Sequence, residues 1–511
     1  MTTDDQLRNA GPDEPVRVET GALPASDPHG SPPKLRGNLG LAGLTVNVLA
    51  YASPLALMSG YVSLVIGYGN GLGAPLAIGV TTIVVLIFSV GFGAIAGAVK
   101  KPGGFYTYVA AGLGRPVGLG IAFLAIYMYW VVTVAGYSFI GIVSKYMVEG
   151  FLHGPTFPWW VWAAVIWVCA STLSYFKIDI SVRVLSVLIV GEVISVLAFD
   201  TAVFLAGGKH GLPAEPFTFS AFHSGSPALA ILFCTGLFMG FEASVLYSEE
   251  VRNPERNIPW SMYISVAWLG LLFGGSCYML IAAVGSESAV DVALDNSQTM
   301  FPNAMGTYLH SVGTDIVSIF LVTSVFAGLT AGQNITARYI HSLGVDGVLL
   351  KSLGAVHPRH GSPYRAAMAV AALFAVGIVA MVLSGQAPNK LYAWISVGAF
   401  FYFLMLMAFS SLAAFFYFLR RPDNRPNAAV WIAAPVVSFL ALVAISSYAF
   451  LNFDLVTGST IVSDISLIMG FVVLALGITV ALFLKDRRPE VYQRIGRNLA
   501  LDEAPPLQDG Y

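Results

Sequence analysis

The chain has 511 residues, 56% of them hydrophobic and only 11% charged, with a formal net charge of -2. A globular soluble chain carries about a quarter charged residues, so that class is excluded, and a mean hydropathy of +0.74 with a pI near 6.4 gives no electrostatic footprint for nucleic acid. The three cysteines, Cys169, Cys234 and Cys277, lie in apolar runs without paired spacing, which points to neither a disulfide framework nor a metal site.

In chain order, residues 1–36 are rich in Pro, Gly, Ser and Asp and lack the apolar core of a signal peptide; they read as a disordered cytoplasmic tail. Apolar runs then recur at about the 20-residue length that spans a bilayer core. Twelve candidate spans are laid out at 39–66, 74–99, 115–148, 157–176, 180–206, 226–250, 259–285, 310–343, 363–384, 389–419, 428–452 and 463–485. The expectation is an all-α polytopic membrane protein with a body over 37–490 and a cytoplasmic C-terminal tail over 491–511. An even number of spans puts both termini on one side. With that side cytoplasmic, every Lys and Arg of the 26 except Lys145, Lys209 and Lys390 falls inside, as the positive-inside rule requires. The outer loop at 286–309 is acidic instead, and its Val-Asp-Val-Ala-Leu run reads as a short helix over the outer mouth.

Two spans are interrupted. In span 1, Ser53 and Pro54 fall mid-span, and proline removes a backbone donor and clashes with the preceding turn. In span 6, Met239-Gly240-Phe241-Glu242 breaks an apolar run that ends in a charged, proline-closed loop through Pro259. A carboxylate and a weakened helix are tolerated in lipid only where they face protein or a water-filled cavity. Paired interruptions at corresponding places of two halves point to a transporter site near the membrane midplane.

These residues carry a resemblance. Met239-Gly240-Phe241-Glu242 followed by Glu249-Glu250-Val251-Arg252-Asn253-Pro254-Glu255-Arg256-Asn257-Ile258-Pro259 resembles the sixth-span signature of the amino acid, polyamine and organocation permease superfamily, approximately F-x-G-F-E then E-E-x-x-N-P-x-R-x-I-P. Pro102-Gly103-Gly104-Phe105-Tyr106, and the stretch from Ala337-Arg338-Tyr339 through Asp346-Gly347, His357-Pro358-Arg359 and Ser362-Pro363, resemble two further elements of that family. The resemblance implies a LeuT-like fold of twelve transmembrane helices, two inverted five-helix repeats with broken helices 1 and 6 plus two extra helices, working by alternating access in the plasma membrane. It also implies a small zwitterionic amino acid, or an amine, bound between the two breaks. Freed amides at a half-helix suit a carboxylate and freed carbonyls suit an ammonium group.

Carried over by position, the break of span 1 falls on Ala52-Ser53-Pro54, where the family has a glycine-flanked serine. Ser53 and the amides of Leu55 and Ala56 are the expected carboxylate partners, and Phe238, Met239, Gly240 and Phe241 the expected carbonyls and aromatic lid. Glu192, apolar on both sides in span 5, is the expected proton carrier for symport, with a structural hydrogen bond as the rival role. Sodium, held with Thr323 and Ser324, is the alternative coupling ion. Glu242 is the competing carrier and more naturally a brace for the broken helix; Asp200 sits nearer the outer end of span 5. The aromatic residues of spans 3 and 10, Tyr392 among them, could line the pocket or sit as interface anchors, the commoner place; Tyr129, Thr133 and Phe400 are deep enough to reach a pocket. No charged residue accompanies them, which favours a neutral substrate.

Other signals fall away. The glycines from Gly67 to Gly73 lack the βαβ context of a dinucleotide loop and read as a turn. His357 and His360 have no carboxylate or thiolate company, no catalytic triad stands out, and no cofactor is implied. Two rival functions stay open: an amine or polyamine antiporter or uniporter of the same fold, and a transport-inactive sensor, which would normally bring a folded soluble appendage.

Overall fold

A computed structural model describes residues 39–99, 104–176, 182–247, 251–357 and 360–496. The expected N-terminal tail, residues 497–511 of the expected C-terminal tail, Lys100 to Gly103, Glu249-Glu250 and Pro358-Arg359 lie outside these.

The described residues are helical apart from turns and one isolated parallel bridge, Leu39 with Val251. Helix α1 (Leu41–Ala52) stops at Ser53, and α2 (Pro54–Leu57) continues in wider turns to Asn70. A glycine turn leads into α3 (Ala74–Val99), followed by α4 (Phe105–Leu113), α5 (Arg115–Tyr146), α6 (Trp159–Phe176) and α7 (Val182–Ala206). The single turn α8 (Phe219–Phe222) precedes α9 (Pro227–Gly236), and a tight helix over Phe241–Tyr247 leads toward α10 (Pro254–Val284) and α11 (Ala289–Val345). The remainder is α12 (Tyr364–Leu383), α13 (Pro388–Leu419), α14 (Ala434–Leu451), the turn α15 (Asp454–Thr457), α16 (Thr460–Arg487) and α17 (Pro489–Arg494).

Among the described residues ten helical segments are long and apolar enough to cross a membrane. The difference from the twelve expected lies at the two interruptions. Pro54–Val99 runs as one 46-residue segment through the glycine turn, and Pro227–Gly236, cut short by the sixth-span break, is only ten residues long. One boundary moves for a physical reason. The helix expected from 259 begins at Pro254, because Asn253 takes a left-handed conformation (φ 49°) and Pro254, which has no N–H to lose, occupies the first helical position. The helix expected from 310 is the last segment of a longer one, α11, which opens at Ala289 and is broken by non-helical backbone at Asn296 and at His310 (φ 60°), so the expected start coincides with the second break. Its first segment is the short helix anticipated in the outer loop, packed close against Gly67.

α5 is central, packing against α11, α13 and α16, while α3 packs along α10. With apolar surface on every side, specificity between helices falls to short polar contacts and small residues. Asp200 on α7 accepts from Ser276 Oγ on α10 at 2.6 Å, Ser174 on α6 donates to Asn334 on α11 at 2.7 Å, and Gln333 donates to Ser171 at 2.8 Å.

Asp346, just past the end of α11, is buried, and one of its carboxyl oxygens, Oδ2, has no hydrogen-bond partner. Burial pushes its pKa up to about 6, against the pull of Arg494. A carboxyl raised in the folded state stabilises most at low pH, and that contribution is lost as pH climbs through the raised value. Asp346→Asn is therefore expected to melt above the parent protein at pH 8, by a margin that shrinks as the pH falls through about 6 and is gone only below about pH 4, under the ordinary carboxyl value, as read by thermal denaturation in detergent.

Candidate substrate site

The interruption in span 1 is a single residue wide. Ser53 adopts φ 40°, ψ 71°, its carbonyl accepts from Leu57 N–H at 3.1 Å, and Pro54 opens the second half-helix. Starting a helix leaves amides without partners in its own backbone. Pro54 has none to offer, and the Leu55 amide donates to Glu192 Oε2 at 3.2 Å. The first available donor of the half-helix thus faces the protein's own buried carboxylate, a favourable pairing with the positive end of the helix. Ser53 Oγ donates to the Ser324 carbonyl at 3.4 Å, tying the break to α11, and Ser324 lies beside Glu192. Thr323 is elsewhere, its hydroxyl returned to Ile319 and Phe320 of its own helix.

The sixth-span interruption is a turn, Leu237 to Gly240, between α9 and the tight helix that follows. Gly240 takes φ 106°, a region that side chains exclude. Its amide donates to Glu242 Oε2 at 2.9 Å, and Tyr129 Oη donates to Glu242 Oε1 at 2.9 Å. Both carboxylate oxygens of this buried residue are engaged, one by the broken backbone and one by α5.

Between the interruptions lies a cavity of about 160 Å³. Ser53, Ala56, Leu57 and Tyr61 line it from the first break, Gly236, Met239 and Gly240 from the second. α5 contributes a face from Tyr129 through Thr133 to Phe139, α11 one from Ser324 to Ile335, and α13 Tyr392. No Asp, Glu, Lys, Arg or His side chain is among the lining residues. The polar atoms that remain are hydroxyls and backbone groups.

Of the residues singled out from sequence, Ser53, Ala56, Met239, Gly240, Tyr129 and Thr133 meet at this cavity. Pro54, Leu55, Glu192 and Glu242 stand directly behind it, buried. Phe238 is buried away from the lining, and Phe241 packs edge-on to Phe88 at 5.9 Å. Phe400 lies behind Tyr61, edge-on at 4.8 Å. The Ala52 side chain lies outside the described residues. The aromatic wall decides between the two places the sequence leaves open for Tyr392. Tyr392 stacks on Tyr61 at 5.7 Å and on Phe139 at 5.0 Å, so it is a buried lining residue and not an interface anchor. Sequence reasoning passed over Gly328 and Gly332, although Ser324, Gly328 and Gly332 recur every fourth residue and so share one face of α11.

The sequence profile of the amino acid permease family matches residues 43–493. The branched-chain amino acid permease BcaP of Bacillus subtilis (strain 168) is 24% identical over 391 residues, covering 73% of this chain and 79% of the relative. The low-affinity putrescine importer PlaP of Escherichia coli (strain K12) is 25% identical over 364 residues, 69% of this chain and 76% of the relative. Mouse cationic amino acid transporter 4 is 23% identical over 237 residues, 45% of this chain and 34% of the relative. With its paired helix breaks and matched over most of its length, the chain belongs to the amino acid permease family, whose members are membrane transporters and not enzymes.

Proposed function

We propose that the protein is a secondary transporter that imports a small neutral amino acid across the plasma membrane by alternating access, coupled to protons through Glu192. The observation that carries the substrate class is the cavity itself: it lies between two broken helices and is lined by hydroxyls, backbone and apolar side chains without a charge. Backbone dipoles at the breaks complement a zwitterion's two ends, while nothing on the wall would pair with a charged side chain. The name of the Bacillus relative agrees with this choice. The body over 37–490 then comprises twelve crossings, with Pro54–Val99 divided at its glycine turn and the broken sixth span completed beyond Gly240, arranged as two inverted five-helix repeats plus two, and both terminal tails are cytoplasmic.

Coupling is inferred from one contact. Glu192 holds the Leu55 amide, a donor that a substrate carboxylate at the first break would also seek. Proton loading of Glu192 weakens that hold, because a hydrogen bond to an ionised acceptor is roughly twice as strong as a neutral one. A sodium ion among Glu192, Ser324 and the break is the competing arrangement.

The same contact is the one observation that favours an amine as cargo, since an amine needs no amide for a carboxylate. The putrescine importer among the relatives is consistent with that choice. A diamine would, however, want an anion near each end, and both nearby carboxylates are turned onto backbone amides behind the wall.

The purified protein in liposomes separates these readings. Labelled alanine or leucine should accumulate when the outside is acidified and not when sodium alone is supplied. A thermal-shift screen should show stabilisation by neutral amino acids, since a ligand bound only by the folded state raises its stability by mass action. Stabilisation by putrescine and by no amino acid would overturn the amino acid reading.

A further inference from the structure

Glycines line this cavity at Gly136, Gly236, Gly240, Gly328 and Gly332, and the structure accounts for four of them. A β-carbon at Gly136 would lie 2.7 Å from Leu329 Cδ2, at Gly236 2.4 Å from the Phe400 ring, and at Gly332 2.5 Å from Thr133 Oγ1. Gly240 is held at φ 106°. Gly328 is different. A β-carbon there would meet only Ser53 Oγ, at 3.9 Å, an ordinary contact with open space beyond. It sits inside α11, with ordinary helical neighbours on both sides, where alanine favours the helix over glycine. Neither a clash nor the backbone calls for glycine at this position.

We propose that Gly328 keeps that space free for the substrate's side chain and sets its upper size limit. This rests on the amino acid transport reading given above. Gly328 faces Ser53 at the first break, where the zwitterion's backbone atoms would be held, so a group added at residue 328 intrudes next to the substrate's α-carbon, where its side chain departs. The wall around it, with Val325, Leu329, Val132 and Ile335, is hydrocarbon. The side chain it accommodates is therefore apolar and branched or longer, and a narrower wall would admit only small ones. Admission of the larger apolar amino acids alongside the small ones is then a property of one missing methyl group.

Uptake of labelled alanine and labelled leucine into proteoliposomes, for the parent protein, Gly328→Ala and Gly328→Val, tests the proposal, with thermal melting recorded for each. The parent protein should take up both. Gly328→Ala should melt no lower than the parent and raise the leucine KM about tenfold while leaving the alanine KM within about twofold, the discrimination that one methylene gives in an apolar pocket. Gly328→Val should abolish leucine uptake and keep alanine uptake. Equal proportional losses for both substrates would assign Gly328 a hinge role and overturn the size limit, as would leucine uptake untouched by either change or a Gly328→Ala protein that fails to fold. Those three outcomes leave transport by the parent protein standing. A parent protein that neither transports nor is stabilised by alanine or leucine overturns the transport reading, and the size limit with it.

Discussion

Gly240→Ala is expected to reduce uptake by about tenfold to a hundredfold, corresponding to the order of 1–3 kcal/mol that a side chain costs in a backbone region reserved for glycine. The φ of 106° is imposed by what surrounds it. The Gly240 amide must point at Glu242 Oε2 while Tyr129 holds the other oxygen, so a methyl group at Gly240 either strains the turn in place or swings the amide off the carboxylate. Either result moves the cavity wall, because Gly240, Met239 and Tyr129 all line it. Uptake should therefore fall more steeply than stability. Glu242→Gln makes a useful companion. Its Oε1 can accept from the Gly240 amide, and the Tyr129 hydroxyl, which is both donor and acceptor, can turn to accept from its amide. The glutamine variant should retain most uptake and the alanine variant little, as expected of a brace. A glutamine variant as inactive as the alanine one would show that the charge itself is required and would move the proton carrier from Glu192 to Glu242.

Much of the fold was legible because each helix announces itself independently. An apolar run of membrane length needs no knowledge of tertiary contacts, and the long helices among the described residues fall on expected spans, with the start of α10 moved and with α4 and α17 lying between or beyond them. Asn253 and His310 both take positive φ, a local choice that depends on neighbours and not on hydropathy; the first moves a helix start away from the expected place and the second falls on it. The interruptions were legible for the opposite reason: Pro54 and Gly240 are backbone chemistry, visible one residue at a time. What stayed hidden was direction. Leu55 and Glu192 were each singled out, yet the contact between them spans 137 positions in the chain and leaves no mark on either segment alone. Phe241, expected at the site, and Tyr392, for which either place was open, follow the same reason, since an aromatic residue deep in a helix reads alike whether it faces a cavity, as Tyr392 does, or packs behind one, as Phe241 does against Phe88.

Glu192→Gln is expected to leave the protein folded and able to exchange labelled substrate across a membrane at equal pH, but to remove the dependence of net uptake on the pH gradient. Glutamine preserves the length of the side chain and an oxygen for the Leu55 amide, so the junction between α7 and the second half-helix survives; what disappears is titration. Under the proposed coupling a proton on Glu192 loosens the Leu55 amide and a substrate carboxylate benefits, so substrate affinity should rise as the medium is acidified, by about 5-fold to 150-fold across the transition if the coupling has the usual strength of 1–3 kcal/mol. Linkage is reciprocal, so bound substrate must favour the protonated carboxyl to the same extent, which is what carries the proton inward with the amino acid. The variant is fixed in the neutral state, and its affinity should be flat with pH and close to the acid limit of the parent. Retained gradient dependence in Glu192→Gln would place the carrier elsewhere. Loss of a sodium requirement in the variant, with pH playing no part in either protein, would instead assign Glu192 and Ser324 to a cation. Equilibrium exchange is the deciding control, because a variant that fails to exchange has lost the site and not merely its coupling.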